Sequence, residues 1–282
     1  MKSALLKKAL LVSLLCLLTV GAGSCINIGG FGMQARYERV VQLSSPMLAG
    51  SSFEAQTHNG SIDVTGADIT VCNLTATITG RAKTEEDAQK LAERTKVKLE
   101  SFGGRLIAKI NKPIFLLNQS VSVSFDVQVP NESDLKFTTH NGSMEIRNIT
   151  GRLNGTTHNG RITAEQISGR AELHTHNGSV TCREISGDSR LKSHNGSIKA
   201  YFSQAVPSDC DISLITYNGG IEITTPSNFS GEIYISTSNG SIRTDLPITI
   251  VGKISKTKLT GKIGSGQGKL HLETHNGSIR VQ

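Results

Sequence analysis

Histidine and cysteine are the residues of this sequence whose placement first suggests chemistry. Six of the eight histidines, His58, His140, His158, His176, His194 and His275, hold the second place of a recurring tetrad. It reads Thr-His-Asn-Gly at 57–60, 139–142, 157–160, 175–178 and 274–277, and Ser-His-Asn-Gly at 193–196. Thr-Tyr-Asn-Gly at 216–219 and Thr-Ser-Asn-Gly at 237–240 complete a set of eight turns. Imidazole suits zinc, copper and nickel, so evenly spaced histidines raise metal binding as one chemistry, with His174 on the same face as His176. Zinc takes three or four convergent ligands, about 2.0–2.1 Å to nitrogen, and a straight column offers two at a time. Plain solvent-facing stacking is the simpler reading, and no metal or other cofactor is assigned.

Cys25 suggests a different chemistry. Residues 1–24 have a basic start, an apolar run from 9 to 20 and the small residues Gly21-Ala22-Gly23-Ser24. That is the layout of a bacterial signal peptide, its apolar run being short for a membrane span of about 20 residues. Cys25 after three small residues is similar to a lipobox, which would make it the lipid attachment site and tie the protein to the membrane through a lipid anchor. Ala22 replaces the usual Leu, so ordinary cleavage after Ala22 or Ser24 stays open. Residues 25–36, Gly-rich at 27–32, then read as a flexible tether. With Cys16 removed and Cys25 lipidated, Cys72, Cys182 and Cys210 remain; they allow at most one disulfide and are expected to be buried thiols.

The tetrads must be positioned by something repetitive. Between Asn141 and Asn195 they recur every 18 residues three times running, and halfway along lie second turns at Thr150-Gly151, Ser168-Gly169 and Ser186-Gly187. Asn-Gly alone signals a two-residue hairpin, and an antiparallel meander is the competing architecture. Columns decide against it. Met144, Ile162, Val180 and Ile198 align, as do Ile146, Ala164, Cys182 and Ala200, then Ile149, Ile167 and Ile185. On the other strand Leu153, Ala171 and Ser189 align, then Gly155, Leu173 and Leu191, then Thr157, Thr175 and Ser193. Like residues at like positions are what stacked coils about 4.8 Å apart require. The fold class read from this is all-β: a parallel two-sheet β-solenoid of about 18 residues per coil in its regular part.

The regular coils span 135–201 and irregular ones 202–282, where the tetrads space out by 23, 21 and 37 residues through longer loops or added strands. One short helix is expected in the N-terminal flank, from the cap Thr84 and the acidic Glu85-Glu86-Asp87 to about Thr95. Strands are expected near 96–101, 105–111 and 120–129, and residues 37–282 form one domain. At the turns Gly142, Gly160, Gly178 and Gly196, and likewise Gly60, Gly219, Gly240 and Gly277, glycine is expected to supply backbone freedom. The preceding Asn59, Asn141, Asn159, Asn177, Asn195, Asn218, Asn239 and Asn276 would adopt left-handed dihedrals or stack as an amide ladder. With Thr157 inward, His158 points outward, and His140, His158, His176 and His194 form an exposed column about 4.8 Å apart. Protonation would crowd like charges there, so stability should fall between about pH 7 and 5.

At 4% aromatic and with no Trp, the core must be built from aliphatic and small residues. The net charge of +7 drops to +4 without Lys2, Lys7 and Lys8 and is dispersed, which argues against nucleic acid. Gly264-Ser265-Gly266-Gln267-Gly268 lacks the context of a nucleotide loop. Calcium coils of the repeats-in-toxin kind need Asp where this chain has His-Asn-Gly.

The chain resembles a bacterial putative-adhesin family of envelope β-strand-repeat proteins. The resemblance rests on Val127-Gln128-Val129-Pro130, on the Thr-x-Asn-Gly-Ser-Ile turns, and on Leu259-Thr260-Gly261-Lys262-Ile263-Gly264-Ser265-Gly266 with 270–279. It implies a β-solenoid, an extracytoplasmic place and no catalytic residues. The function expected is a non-catalytic surface binding or scaffold lipoprotein at the outer membrane or cell surface. Its partner would be an envelope or surface macromolecule, with no small-molecule substrate. Two alternatives stand beside it: an accessory protein in envelope-stress sensing, and a polysaccharide-active parallel β-helix enzyme. The enzyme would need a carboxylate pair in a groove, whereas Glu145, Glu165 and Glu184 are interleaved with Arg147 and Arg183 as cross-strand charge pairs.

Overall fold

The computed structural model describes residues 20–22, 35–113, 118–204, 206–250, 255–265 and 267–282. Cys25, and with it nearly all of the signal and tether stretches, lies outside them. Within the signal stretch, Val20–Ala22 pairs antiparallel with residues 39–41, and the strand Ala35–Pro46 takes in the last two residues of the expected tether.

Strands alternate inward aliphatics with outward polar residues, and each coil places one strand in each of two sheets. Ile162–Ser168 pairs parallel with Met144–Thr150, with Ile162 on Met144 and Ala164 on Ile146. Ala171–Thr175 pairs parallel with Leu153–Thr157 in the same 18-residue register. Inward side chains such as Ile146, Ile162, Ala164, Val180 and Cys182 are fully buried between the sheets. Each buried aliphatic contributes about 1.5–3 kcal/mol, and parallel stacking repeats that contribution at every coil. The solenoid is therefore parallel, and the meander is excluded.

One local feature keeps the inward set in phase. Asn148, Gln166 and Glu184, one per coil, have φ of 57°, 55° and 53°. The left-handed residue lets Ile149, Ile167 and Ile185 turn inward three places after Ile146, Ala164 and Cys182 rather than two. These are the left-handed residues of the regular coils besides Gly151 and Gly169, so the tetrad asparagines and glycines do not take positive φ. The expectation of backbone freedom at the tetrad glycine is corrected here.

Chain order and stacking order differ at both ends. Ser52–Gln56 and Ile62–Ala67 form a full coil directly beneath Asp134–Thr139 and Met144–Thr150, although 66 residues separate Ala67 from Asp134. The intervening chain makes the antiparallel strands Val71–Ala82 and Ser120–Pro130, which with Ala35–Pro46 cover that end of one sheet. The helix Glu85–Arg94 packs on these strands through Ala88, Leu91 and Ala92. Its Thr84 cap accepts the Asp87 N–H at 3.2 Å. Lys96–Phe102 and Arg105–Asn111 form an antiparallel pair that extends the other sheet.

At the far end Gly268–Asn276 is inserted between Asp211–Asn218 and Gly231–Asn239. The chain thus lays down one coil, builds an outer one, and returns to fill the space between them. The added strands Lys258–Ile263 and Thr249–Ile250 run antiparallel along that edge. Among the described residues each sheet contains 12 strands.

Candidate functional site

The tetrads fall at one corner of every coil, and each of their four residues has a distinct task. The threonine or serine is buried and donates its hydroxyl to the glycine carbonyl of the coil beneath: Thr157 to Gly142 at 2.9 Å, Thr175 to Gly160 at 2.9 Å and Ser193 to Gly178 at 2.8 Å. The asparagine joins an unbroken amide ladder. Asn141 donates to Asn59, Asn159 to Asn141, Asn177 to Asn159, Asn195 to Asn177, Asn218 to Asn195, Asn276 to Asn218 and Asn239 to Asn276, all at 2.7–2.8 Å. The glycine is required by close approach. A Cβ on Gly142, Gly160, Gly178 or Gly196 would lie 1.8–2.0 Å from the carbonyl oxygen of the glycine below.

The second residue faces outward and stacks. Rings run His58, His140, His158, His176, His194, Tyr217, His275, with centroids 4.7–5.1 Å apart and planes within 8° of parallel. The column holds seven rings rather than the four taken from the regular repeat. His58 and His275 join because their coils stack out of chain order. Tyr217 joins because a phenol fits the same slot; its tetrad register was the available signal. Ser238 follows in the coil beyond His275.

The geometry bears on metal binding. Imidazole lone pairs lie in the ring plane, so parallel rings aim their nitrogens side by side rather than at a common point. Among the described residues no three His, Cys, Asp or Glu side chains are grouped to hold a metal ion. Loss of hydration, then the neighbouring His158 and His194, hold the His176 pKa below its ordinary value. For His174 the causes are burial, then Lys192, then His176.

Two of the outward carboxylates share one cation. Arg147 pairs with Glu145 and, at 3.1 Å, with Asp63, while Glu165 lies in register with Arg183. Burial raises the Asp63 pKa against the lowering pull of Arg147, and Glu145 and Asp126 raise it further. Cys72, Cys182 and Cys210 are free and buried, their thiols pushed up by burial to about 12, 12 and 11.

Beside His58, at the N-terminal end of the ring column, lies a cleft of about 610 Å³. It exists because the layer beneath has no tetrad. Ser52–Gln56 pairs with Arg105–Asn111 only as far as Ala55 on Ala108. From there the underlying strand is Ser120–Pro130, where Val123 receives the Thr57 hydroxyl at 2.7 Å and donates to the Asn59 carbonyl at 2.9 Å. The periodic sequence reading missed this cleft, because it forms where the period is broken.

A family model described as Toastrack DUF4097 matches residues 40–282. The chain belongs to the toastrack family. The resemblance drawn from its Asn-Gly turns and closing strands is met by that match. Among solved structures, this toastrack chain is similar to a "putative cell adhesion protein" from Clostridium sporogenes, at 11% identity over 85% of this chain and 97% of that one, with a TM-score of 0.36. A "putative adhesin" from Bacteroides fragilis is 10% identical over 86% and 97%, TM-score 0.36. One from Parabacteroides merdae is 8% identical over 86% and 96%, TM-score 0.38. No curated protein matches.

Proposed function

We propose that this toastrack chain is a non-catalytic binding module of the bacterial envelope, tethered through Cys25 and presenting its solenoid to an envelope or surface macromolecule. The observation that carries this reading is the use made of the tetrad. Its hydroxyl, amide and glycine bind coil to coil, while its second residue builds an outward aromatic strip about 29 Å long over the six ring spacings. A strip whose side chains are fixed by their own stacking loses little entropy on binding, which favours recognition of an extended partner. On the strands that lead into it, exposed His174 and Lys192 lie in register and supply a polar rim.

The test is metabolic labelling with a clickable palmitate analogue, followed by capture of envelope components on the mature protein. The natural chain should carry label and fractionate with membranes, and Cys25→Ala should lose both. Replacing His140, His158, His176 and His194 together by Asn should release the captured macromolecule. Absence of label on either chain would overturn the tether. Capture unchanged by the fourfold variant, or appearance of a cleaved envelope polysaccharide, would overturn the binding reading.

A further inference from the structure

The ring column has two ends, and they differ. At one end Ser238 lies beyond His275. At the other, among the described residues, His58 has a single ring partner, His140, on the side of the coil above. His58 also lines the 610 Å³ cleft, together with residues of Arg105–Asn111 and Ser120–Pro130. That volume is in the range of small-molecule sites, about 300–1,000 Å³.

Chemistry within the cleft is of two kinds. Ile110, partly buried against the core, and the buried Val121 and Val123 give it an apolar wall. Lys109, Lys112 and Lys136 line it together with one acid, Glu54. Glu54 is already engaged by Arg105 at 3.2 Å and lies 4.0 Å from Lys136. Lys109 is paired with Glu100 at 2.6 Å. Among the described lining residues, three cations thus face one acid.

We propose that this cleft binds a small planar aromatic anion, its ring stacked on His58 as a further step of the column and its acidic group placed among Lys109, Lys112 and Lys136. Every internal step is a parallel stack at 4.7–5.1 Å, close to the spacing of neighbouring strands. Among the described residues no second ring stacks on His58, and the apolar wall beside it shields an incoming ring from water. A saturated ring of equal size fits the same space without a π-face, and a neutral amide fits without the charge. Both discriminate the two halves of the proposal. The proposal is independent of the tether and of the macromolecular partner, and it adds a bound small molecule where the sequence suggested none.

The probe is 2-naphthoate, with decahydro-2-naphthoate and 2-naphthamide as comparators, titrated calorimetrically and by imidazole proton shifts on the mature protein. Naphthoate should bind at millimolar or lower concentration, about threefold to tenfold tighter than its saturated analogue, with ring-current shifts centred on His58. His58→Ala should erase that preference, and His58→Phe, which restores a ring face, should recover it. Lys112→Gln with Lys136→Gln should weaken both carboxylates and leave the amide unchanged. Equal affinity for naphthoate and its saturated analogue, a preference that survives His58→Ala, naphthamide binding as tightly as naphthoate, or no saturation at millimolar concentration would each overturn the proposal.

Discussion

Gly160→Ala is the sharpest test of how the coils are held. The added Cβ would lie 1.9 Å from the Gly142 carbonyl oxygen and 2.6 Å from its carbon, where real Cβ atoms essentially never come within 3.0 Å. The corner must therefore open by more than 1 Å. Three contacts are stretched past hydrogen-bonding range by such a shift: Thr157 hydroxyl to Gly142 oxygen at 2.9 Å, Asn159 amide to Asn141 at 2.7 Å, and Asn159 N–H to His140 oxygen at 2.7 Å. At about 0.5–1.5 kcal/mol each, the loss is about 3 kcal/mol, a large share of a domain stability of about 5–15 kcal/mol. Gly220→Ala is the control, since its Cβ meets only the Ser278 oxygen at 3.2 Å, and it should cost less than about 1 kcal/mol. Urea unfolding followed by circular dichroism measures the difference. Because a solenoid can open locally, amide hydrogen exchange at Asn159 should accelerate by about a hundredfold in Gly160→Ala. If the two variants lose equal stability, or Gly160→Ala loses less than about 1 kcal/mol, the close-approach argument fails.

Two further outcomes follow from ionisation. The folded-state pKa values of His174 and His176 are lowered, so the unfolded chain takes up more protons; stability is fully present above the unfolded pKa of about 6.5 and falls as pH drops below it. The urea midpoint should decrease from about pH 7 to 5, and replacing His140, His158, His176 and His194 by Asn should flatten the slope; an unchanged slope would remove the column as its cause. The thiols at Cys72, Cys182 and Cys210, raised to about 12, 12 and 11, should resist alkylation at pH 8 until urea unfolds the chain, and peptide-level mass spectrometry showing labelled Cys182 in the native protein would contradict its burial.

The repeating half of this protein was open to reading from its letters. An 18-residue period with matched columns at Met144, Ile162 and Val180 has few physical solutions, since each coil must bury its aliphatics against like residues. The outward direction of His158 followed from inward Thr157, and the Thr84 cap with its three acids marked the helix within a residue of its ends. The reason for the tetrad glycine was misjudged because sequence shows a residue's own conformational range but not what lies against it. Gly160 is constrained by Gly142, a neighbour that exists only once coils are stacked.

Sequence alone determined the coil: its two strands, its inward faces, and its Asn-Gly corner, all consequences of local alternation and a constant period. Tertiary structure decided the order in which coils stack, because pairing between 52–67 and 134–150, or insertion of 268–281 between 211–224 and 231–244, joins segments far apart in the chain. That order extends the ring column to His58, Tyr217 and His275. It also leaves His58 at the column's end, beside a layer in which the chain departs before making a turn. The cleft arises from that departure, and periodicity carries no information about the place where it stops.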